Sequence, residues 1–291
     1  MFELRRGVLA VALVGAAALG LATSASAQRP FSWTGFYVGG NAGYAWGDAD
    51  YALSVKSPPP GFFPIMVPAS IPVVNAAGTG GLNDSNGFTG GGQIGYNQQI
   101  GHLVLGVEVD AQSLDVRSAN RVDGVTPGGT VFTTVSALES NYLLTARARV
   151  GLALPSFIGS CGQGCDNRTL LYVTGGFASS DAHVQQYQNW NTGGFQVLQN
   201  YGDRSNGWVV GGGVEFALSG CSSCGGNWTV KAEYLRVDLG DQSTQNLLVQ
   251  RGPAGPTQNS MLMTLNSSTD LNIARIGINY KFGPRDTAPL K

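Results

Sequence analysis

The chain has 291 residues, a formal net charge of −1, 43 glycines and only 12% charged residues. Glycine is thus about twice, and charge about half, what a typical soluble domain carries. With 43% hydrophobic residues, disorder driven by high charge is excluded. No Gly-X-Y period exists, so collagen is excluded as well, and the near-zero net charge offers no electrostatic reason to expect nucleic acid as a partner.

The N-terminal residues 1–27 read as a Sec-type signal peptide. Arg5 and Arg6 form a positive start, an apolar run follows from Gly7 to Ala22, and Ala25-Ser26-Ala27 supplies a small-residue cleavage site before Gln28. The run is short for a membrane-spanning helix, and no later apolar stretch reaches the length of one.

From Gly35 onward apolar residues recur with period two, the mark of strands with unlike faces. In chain order the pattern predicts eight strands: Gly35–Trp46, Gly87–Gln98, Leu103–Ala111, Tyr142–Leu152, Thr169–Ala178, Gly207–Leu218, Asn227–Asp238 and Asp270–Phe282. Their lengths suit the roughly 9–11 residues that cross a bilayer at a tilt. The connectors alternate between long and short, as in a barrel with tight turns at one end and four mobile surface loops at the other. The expectation is an all-β, eight-stranded antiparallel up-and-down transmembrane barrel over 28–282, followed by a C-terminal periplasmic extension over 283–291. Glycines such as Gly39, Gly43, Gly91, Gly95, Gly211 and Gly213 fall on the polar faces, where a narrow barrel has little room.

Sorting residues by strand face identifies the solvent. The polar faces hold Glu108, Asp110, Arg147, Arg149, Glu215, Lys231, Glu233, Arg275 and Lys281. The apolar faces carry no charge until Arg236 and Asp238. Nine charges are too few to solvate the outside of a barrel, but inside a lumen they can pair. Counting along antiparallel neighbours matches Glu108 with Arg147, Glu215 with Lys231, and Glu233 with Arg275. This network either fills the lumen or forms a gated ion path. Trp33, Trp46, Trp208 and Trp228 sit at strand ends and are expected in aromatic girdles at the membrane surfaces.

Four segments resemble a known family: Trp33-Thr34-Gly35-Phe36-Tyr37-Val38-Gly39-Gly40, Gly90-Gly91-Gly92-Gln93-Ile94-Gly95-Tyr96-Asn97, Trp228-Thr229-Val230-Lys231-Ala232-Glu233-Tyr234 and Gly277-Ile278-Asn279-Tyr280-Lys281-Phe282. They are similar to the small porin-like outer-membrane β-barrel proteins of Gram-negative bacteria, the outer-membrane immunogenic protein type, whose barrel resembles that of OmpA. The resemblance implies the bacterial outer membrane, with lipid and lipopolysaccharide around the barrel. It implies a structural or envelope role or a narrow porin-like channel. A surface-loop binding protein, such as an adhesin or a ligand or host contact, is the alternative. Arg275, Gly277, Tyr280 and Phe282 resemble the C-terminal signal read by the barrel-assembly machinery, although here Gly283 to Lys291 follow the final aromatic.

The remaining chemistry is sparse. Cys161 and Cys165 lie in one short turn and Cys221 and Cys224 in another, both on the expected periplasmic side, where disulfides form. Two local disulfides are the expectation, with a zinc site from the two pairs as the alternative. The match of Gly90 to Gly95 to G-x-G-x-x-G sits inside a strand with no helix after it, so no nucleotide site is expected. His102 and His183 lie apart. No catalytic set, metal or cofactor is expected. The first loop carries Pro58-Pro59-Pro60 followed by Phe62, Phe63, Ile65 and Met66, an apolar cluster able to pack on other loops or to contact a partner.

Overall fold

In the computed structural model, the residues described are 31–56, 63–64, 68–155, 168–190, 196–199, 205–218, 227–251 and 258–282. The predicted signal peptide, the four cysteines and the tail after Phe282 lie outside them.

Eleven strands form among the described residues, against the eight expected. They are β1 (Gly35–Lys56), β2 (Phe63–Pro64), β3 (Gly80–Ile100), β4 (Leu103–Val125), β5 (Val131–Leu154), β6 (Thr169–Ser180), β7 (His183–Trp190), β8 (Gln196–Gln199), β9 (Ser205–Ala217), β10 (Trp228–Arg251) and β11 (Gln258–Lys281). The eight predicted segments lie within β1, β3, β4, β5, β6, β9, β10 and β11. Each of these pairs antiparallel with the next in that order, and β11 pairs with β1, so eight strands close a ring with no free edge. The additional strands are appendages at the loop end. β7 continues along β5 beyond β6, β8 pairs with β7, and β2 lies parallel to β11 at Asn259.

The predicted strand ends are corrected most. β1, β3, β4, β5, β10 and β11 run for 21–24 residues, about twice the length that crosses a bilayer. What read as long loops is largely paired strand. In β1, and in β4 as far as Val116, the same alternate positions stay buried or half-buried, but the chemistry of the faces inverts. In β1, Tyr44 and Trp46 point outward from the ring. Beyond them the exposed positions are Asp48, Asp50 and Ala52, while Ala49, Tyr51, Leu53 and Val55 point inward and are buried. In β4, outward Val107 and Val109 give way to exposed Asp115 and Arg117, with Leu114 and Val116 inside. One half of the wall therefore faces an apolar surrounding and the other half faces water.

Three register shifts mark this boundary: Gly47/Ala49 in β1, Ser113/Val116 between β4 and β5, and Asp238/Asp241 in β10. A bulge bends a strand and raises its local twist, which suits a junction between two stacked parts of one wall. At Gly240 the bulge needs a left-handed backbone (φ +67), which glycine adopts without steric penalty.

The interior is layered. In the loop-end half a large apolar cluster gathers Leu53, Leu114, Leu138, Leu143, Leu235 and Ile273 among others. The short helix α1 (Ile71–Ala77) folds onto it through Val74 and Ala77, held by Asn75, whose Oδ1 accepts the Val55 N–H at 2.7 Å. Each fully buried Leu or Ile contributes about 1.5–3 kcal/mol, so this half has a core of the kind a water-soluble barrel uses. At the turn end a smaller apolar cluster joins Phe31, Trp33, Val104, Ala153, Leu170, Tyr172 and Ala217. The charged residues lie between the two.

Candidate functional site

Strand alternation brings the charged side chains together. Glu108 and Asp110 on β4, Arg147 and Arg149 on β5, Glu215 on β9, Lys231 and Glu233 on β10 and Arg275 on β11 all point inward, and all are at most 5% exposed. Four carboxylates meet four cations, so the layer is neutral as a whole.

Glu108 is the hub. It pairs with its cross-strand neighbour Arg147, with Lys231 at 3.0 Å, and more loosely with Arg149 and Arg275, each at 3.8 Å. Tyr37 donates its hydroxyl to Glu108 Oε2 at 2.8 Å. Arg147 also reaches Asp110 at 2.7 Å and Glu233 at 3.1 Å. Arg275 bridges Glu233 at 2.6 Å and Asp110 at 3.2 Å. Arg149 pairs with Glu215 at 3.2 Å, and its guanidinium lies between the Tyr37 and Tyr172 rings, 4.7 and 5.2 Å from their centroids. Tyr172 in turn donates to Glu233 at 2.9 Å. Amide side chains finish the layer. Asn97 accepts from Arg149, Gln112 accepts from Arg275, and Asn279 donates to Glu215.

Taking ions out of water costs several kcal/mol apiece unless each is paired and hydrogen-bonded. Here every carboxylate has at least one cation and a further donor. Small residues make this density possible. At Gly95 a Cβ would drive into the Tyr37 hydroxyl and lie 2.6 Å from the Val107 carbonyl. The Tyr37 ring lies where that side chain would be.

The expected pairings are corrected in two places. Glu108–Arg147 and Glu233–Arg275 are joined as neighbours in register. Lys231 and Glu215 also face each other in register, but the Lys231 ammonium crosses the lumen to Glu108 and Glu215 takes Arg149. A flexible four-carbon stem lets the ammonium pick the most acidic neighbourhood rather than the nearest strand. Lys281 is not in the layer. It sits at the turn end, donates to the Ser32 carbonyl and stands 4.6 Å from the Phe31 ring centroid. That departure turns the five cations and four anions of the sequence into a balanced layer.

The aromatic residues divide similarly. Trp46 and Trp208 are exposed on the outer face, and Trp46 stands with Tyr44, Phe88 and Tyr234 in an arc of ring contacts. Trp228 is half-buried at the turn end, edge-on to Tyr280, which contacts Phe282. Trp33 is a correction: it is 1% exposed and turns into the barrel mouth, so it belongs to no outer girdle. It precedes the first strand, where period-two counting has no hold. In the last strand Arg275 and Gly277 face the lumen, while Phe282 is exposed on the outside.

A closed antiparallel ring with an apolar outer band, aromatic rings at its edges and a neutral ionic layer within defines an integral outer-membrane β-barrel. The chain belongs to the outer membrane protein beta-barrel domain family, whose model matches residues 14–282. It is accordingly a protein of the bacterial outer membrane. It is similar to the 31 kDa outer-membrane immunogenic protein of Brucella melitensis biotype 1. The two are 29% identical over 265 residues, which cover 90% of this chain and 88% of that one. The protein of that name from Brucella suis biovar 1 matches to the same extent. Among solved structures, Neisserial surface protein A aligns with 86% of this chain and 98% of its own, at 16% identity and a TM-score of 0.31.

Proposed function

We propose that this protein is a closed, non-conducting barrel with a structural role in the outer membrane, and that it carries a rigid β-extension on its loop side. The observation that supports this reading is the ionic layer itself. Its eight charged side chains are buried, mutually neutralised and bounded on both sides by apolar clusters. An eight-stranded ring has an interior that side chains can fill. A path for ions would require several of these pairs to separate at once, each at a cost of about 3–5 kcal/mol.

Planar-bilayer recording on the refolded protein tests this. Silent bilayers, for the parent and for Arg147→Met, are the expected result. Steady single-channel conductance in the parent refutes the closed reading in favour of a narrow channel.

The proposed partners are lipid, lipopolysaccharide and the barrel-assembly machinery. Lipid and lipopolysaccharide surround the apolar band. The assembly machinery reads the last strand from its outer face, through Tyr280 and Phe282. Phe282→Ala is expected to lower the amount of folded protein in the outer membrane while leaving unassisted refolding in detergent unchanged. Equal loss in both refutes recognition and leaves a folding effect.

A further inference from the structure

The short segment before β1 is built as a stopper. The chain enters the turn-end mouth at Phe31, and Trp33 packs edge-on against Phe31 at 5.0 Å between centroids. Their rings rest on Val104 of β4, Leu170 and Tyr172 of β6 and Ala217 of β9, and on Ala153 of β5. Tyr172 is also a member of the ionic layer, so the stopper lies directly beneath it.

Three features hold the segment. The Trp33 N–H donates to Gln99 Oε1 at 2.8 Å, and the Gln99 N–H donates to Thr34 Oγ1 at 2.9 Å, a reciprocal clasp with β3. Lys281, on the inward face of β11, turns down to the Ser32 carbonyl and the Phe31 ring. Gly35 supplies the reversal from stopper into strand with φ +137, a conformation open to glycine, and a Cβ there would lie 2.5 Å from the Phe282 carbonyl.

We infer that Phe31-Ser32-Trp33 is a hinged stopper that seals the turn-end mouth of the lumen, with Gly35 as hinge and Lys281 as latch. It rests on the closed-lumen reading above and extends it. Hinge and latch both engage the end of β11, the strand that closes the ring on β1. The stopper can therefore seat only after first and last strands have joined, which couples sealing to closure. The inference also assigns a role to Lys281, a buried cation outside the ionic layer.

The test uses the full chain refolded in detergent micelles, where both mouths meet water, with Trp46, Trp190, Trp208 and Trp228 changed to Phe so that Trp33 is the sole indole. Iodide in the water and a brominated detergent around the barrel are the two quenchers. With the stopper seated, neither quenches Trp33. Lys281→Met and, separately, Gly35→Ala are expected to lose protection from iodide while keeping the heat-modifiable gel shift of a folded barrel. Quenching of Trp33 by iodide in the parent, or by the brominated detergent, overturns the stopper, as does undiminished protection in both variants. The outcome is separable from that of the closed barrel: silent bilayers together with an iodide-quenched Trp33 sink the stopper alone and leave the ionic layer as the sole seal, whereas conductance in the parent sinks the closed-lumen reading and the seal with it, even where Trp33 stays protected.

Discussion

Replacing Glu108 with Gln tests whether the ionic layer acts as one balanced unit. The substitution keeps shape and removes one negative charge, leaving three carboxylates against four cations. Arg147 retains Asp110 and Glu233, at 2.7 and 3.1 Å, but the nearest remaining carboxylate to the Lys231 ammonium is Glu233 at 3.9 Å. Lys231 is wholly buried. Stranding a buried charge in this way costs about 3–5 kcal/mol. Changing Lys231 to Met in the same chain restores neutrality at three against three and places an apolar chain of similar length in the gap. The double variant is then expected to recover most of the loss, because replacing a whole buried pair with apolar groups is often nearly neutral. Urea unfolding in lipid vesicles, followed by tryptophan fluorescence and the folded-barrel gel shift, gives the four corners of the cycle. A Glu108→Gln loss below about 1 kcal/mol, or a double variant whose loss equals the sum of the singles, would refute the balanced layer.

Further outcomes follow from the layering of the wall. Gly95→Ala is expected to cost about 1–3 kcal/mol of unfolding free energy, because the methyl group collides with Tyr37. Gly92→Ala, whose Cβ would meet only the Gly39 carbonyl at 3.6 Å, is the benign control in the same unfolding assay. The inversion of the faces predicts opposite tolerances. Val109→Arg, in the outward apolar band, is expected to cost about 2–4 kcal/mol in vesicles, and Ala52→Arg, exposed on the extension, to be neutral; equal losses refute the two-solvent wall. Asp181, beyond the aromatic arc, gives a pH dependence. Burial pushes its carboxyl up, but the Asn141 side chain and the Asn141 and Tyr142 N–H groups together hold it below the ordinary carboxylate range. Its contribution is therefore present above about pH 4, the unfolded value, and fades as pH falls through the lower folded value. The stability gap between the parent and Asp181→Ala should narrow on acidification, which unfolding curves at several pH values would show.

Period two and the sorting of charge were enough to read the barrel, because a strand in a membrane has only two sides and each solvent leaves its residues on one of them. Leu103 to Ala111 and Tyr142 to Leu152 declare a polar lumen and an apolar outside with no knowledge of their neighbours. The apolar-out alternation reaches only to Trp46, Ala111 and Asp238. Past them the wall enters water and its outer face turns polar, so the apolar-out pattern ends although the strand does not. The run Ala49, Tyr51, Leu53, Val55 was legible as alternation, but it was silent about the solvent outside it.

Partner choice within the lumen was beyond the sequence for a different reason. Register places Lys231 opposite Glu215, yet long side chains choose partners across a closed ring, and only closure puts Glu108 of β4 within reach of β10. Trp33 turns inward because the turn-end mouth holds a pocket drawn from β4, β5, β6 and β9, which no local pattern encodes. The sequence by itself determined the ring, its direction and the solvent at its waist, since these depend on alternation along each strand. The tertiary structure alone decided how far the strands continue, which charges meet and what closes the mouth, since these depend on distances across the barrel between residues far apart in the chain.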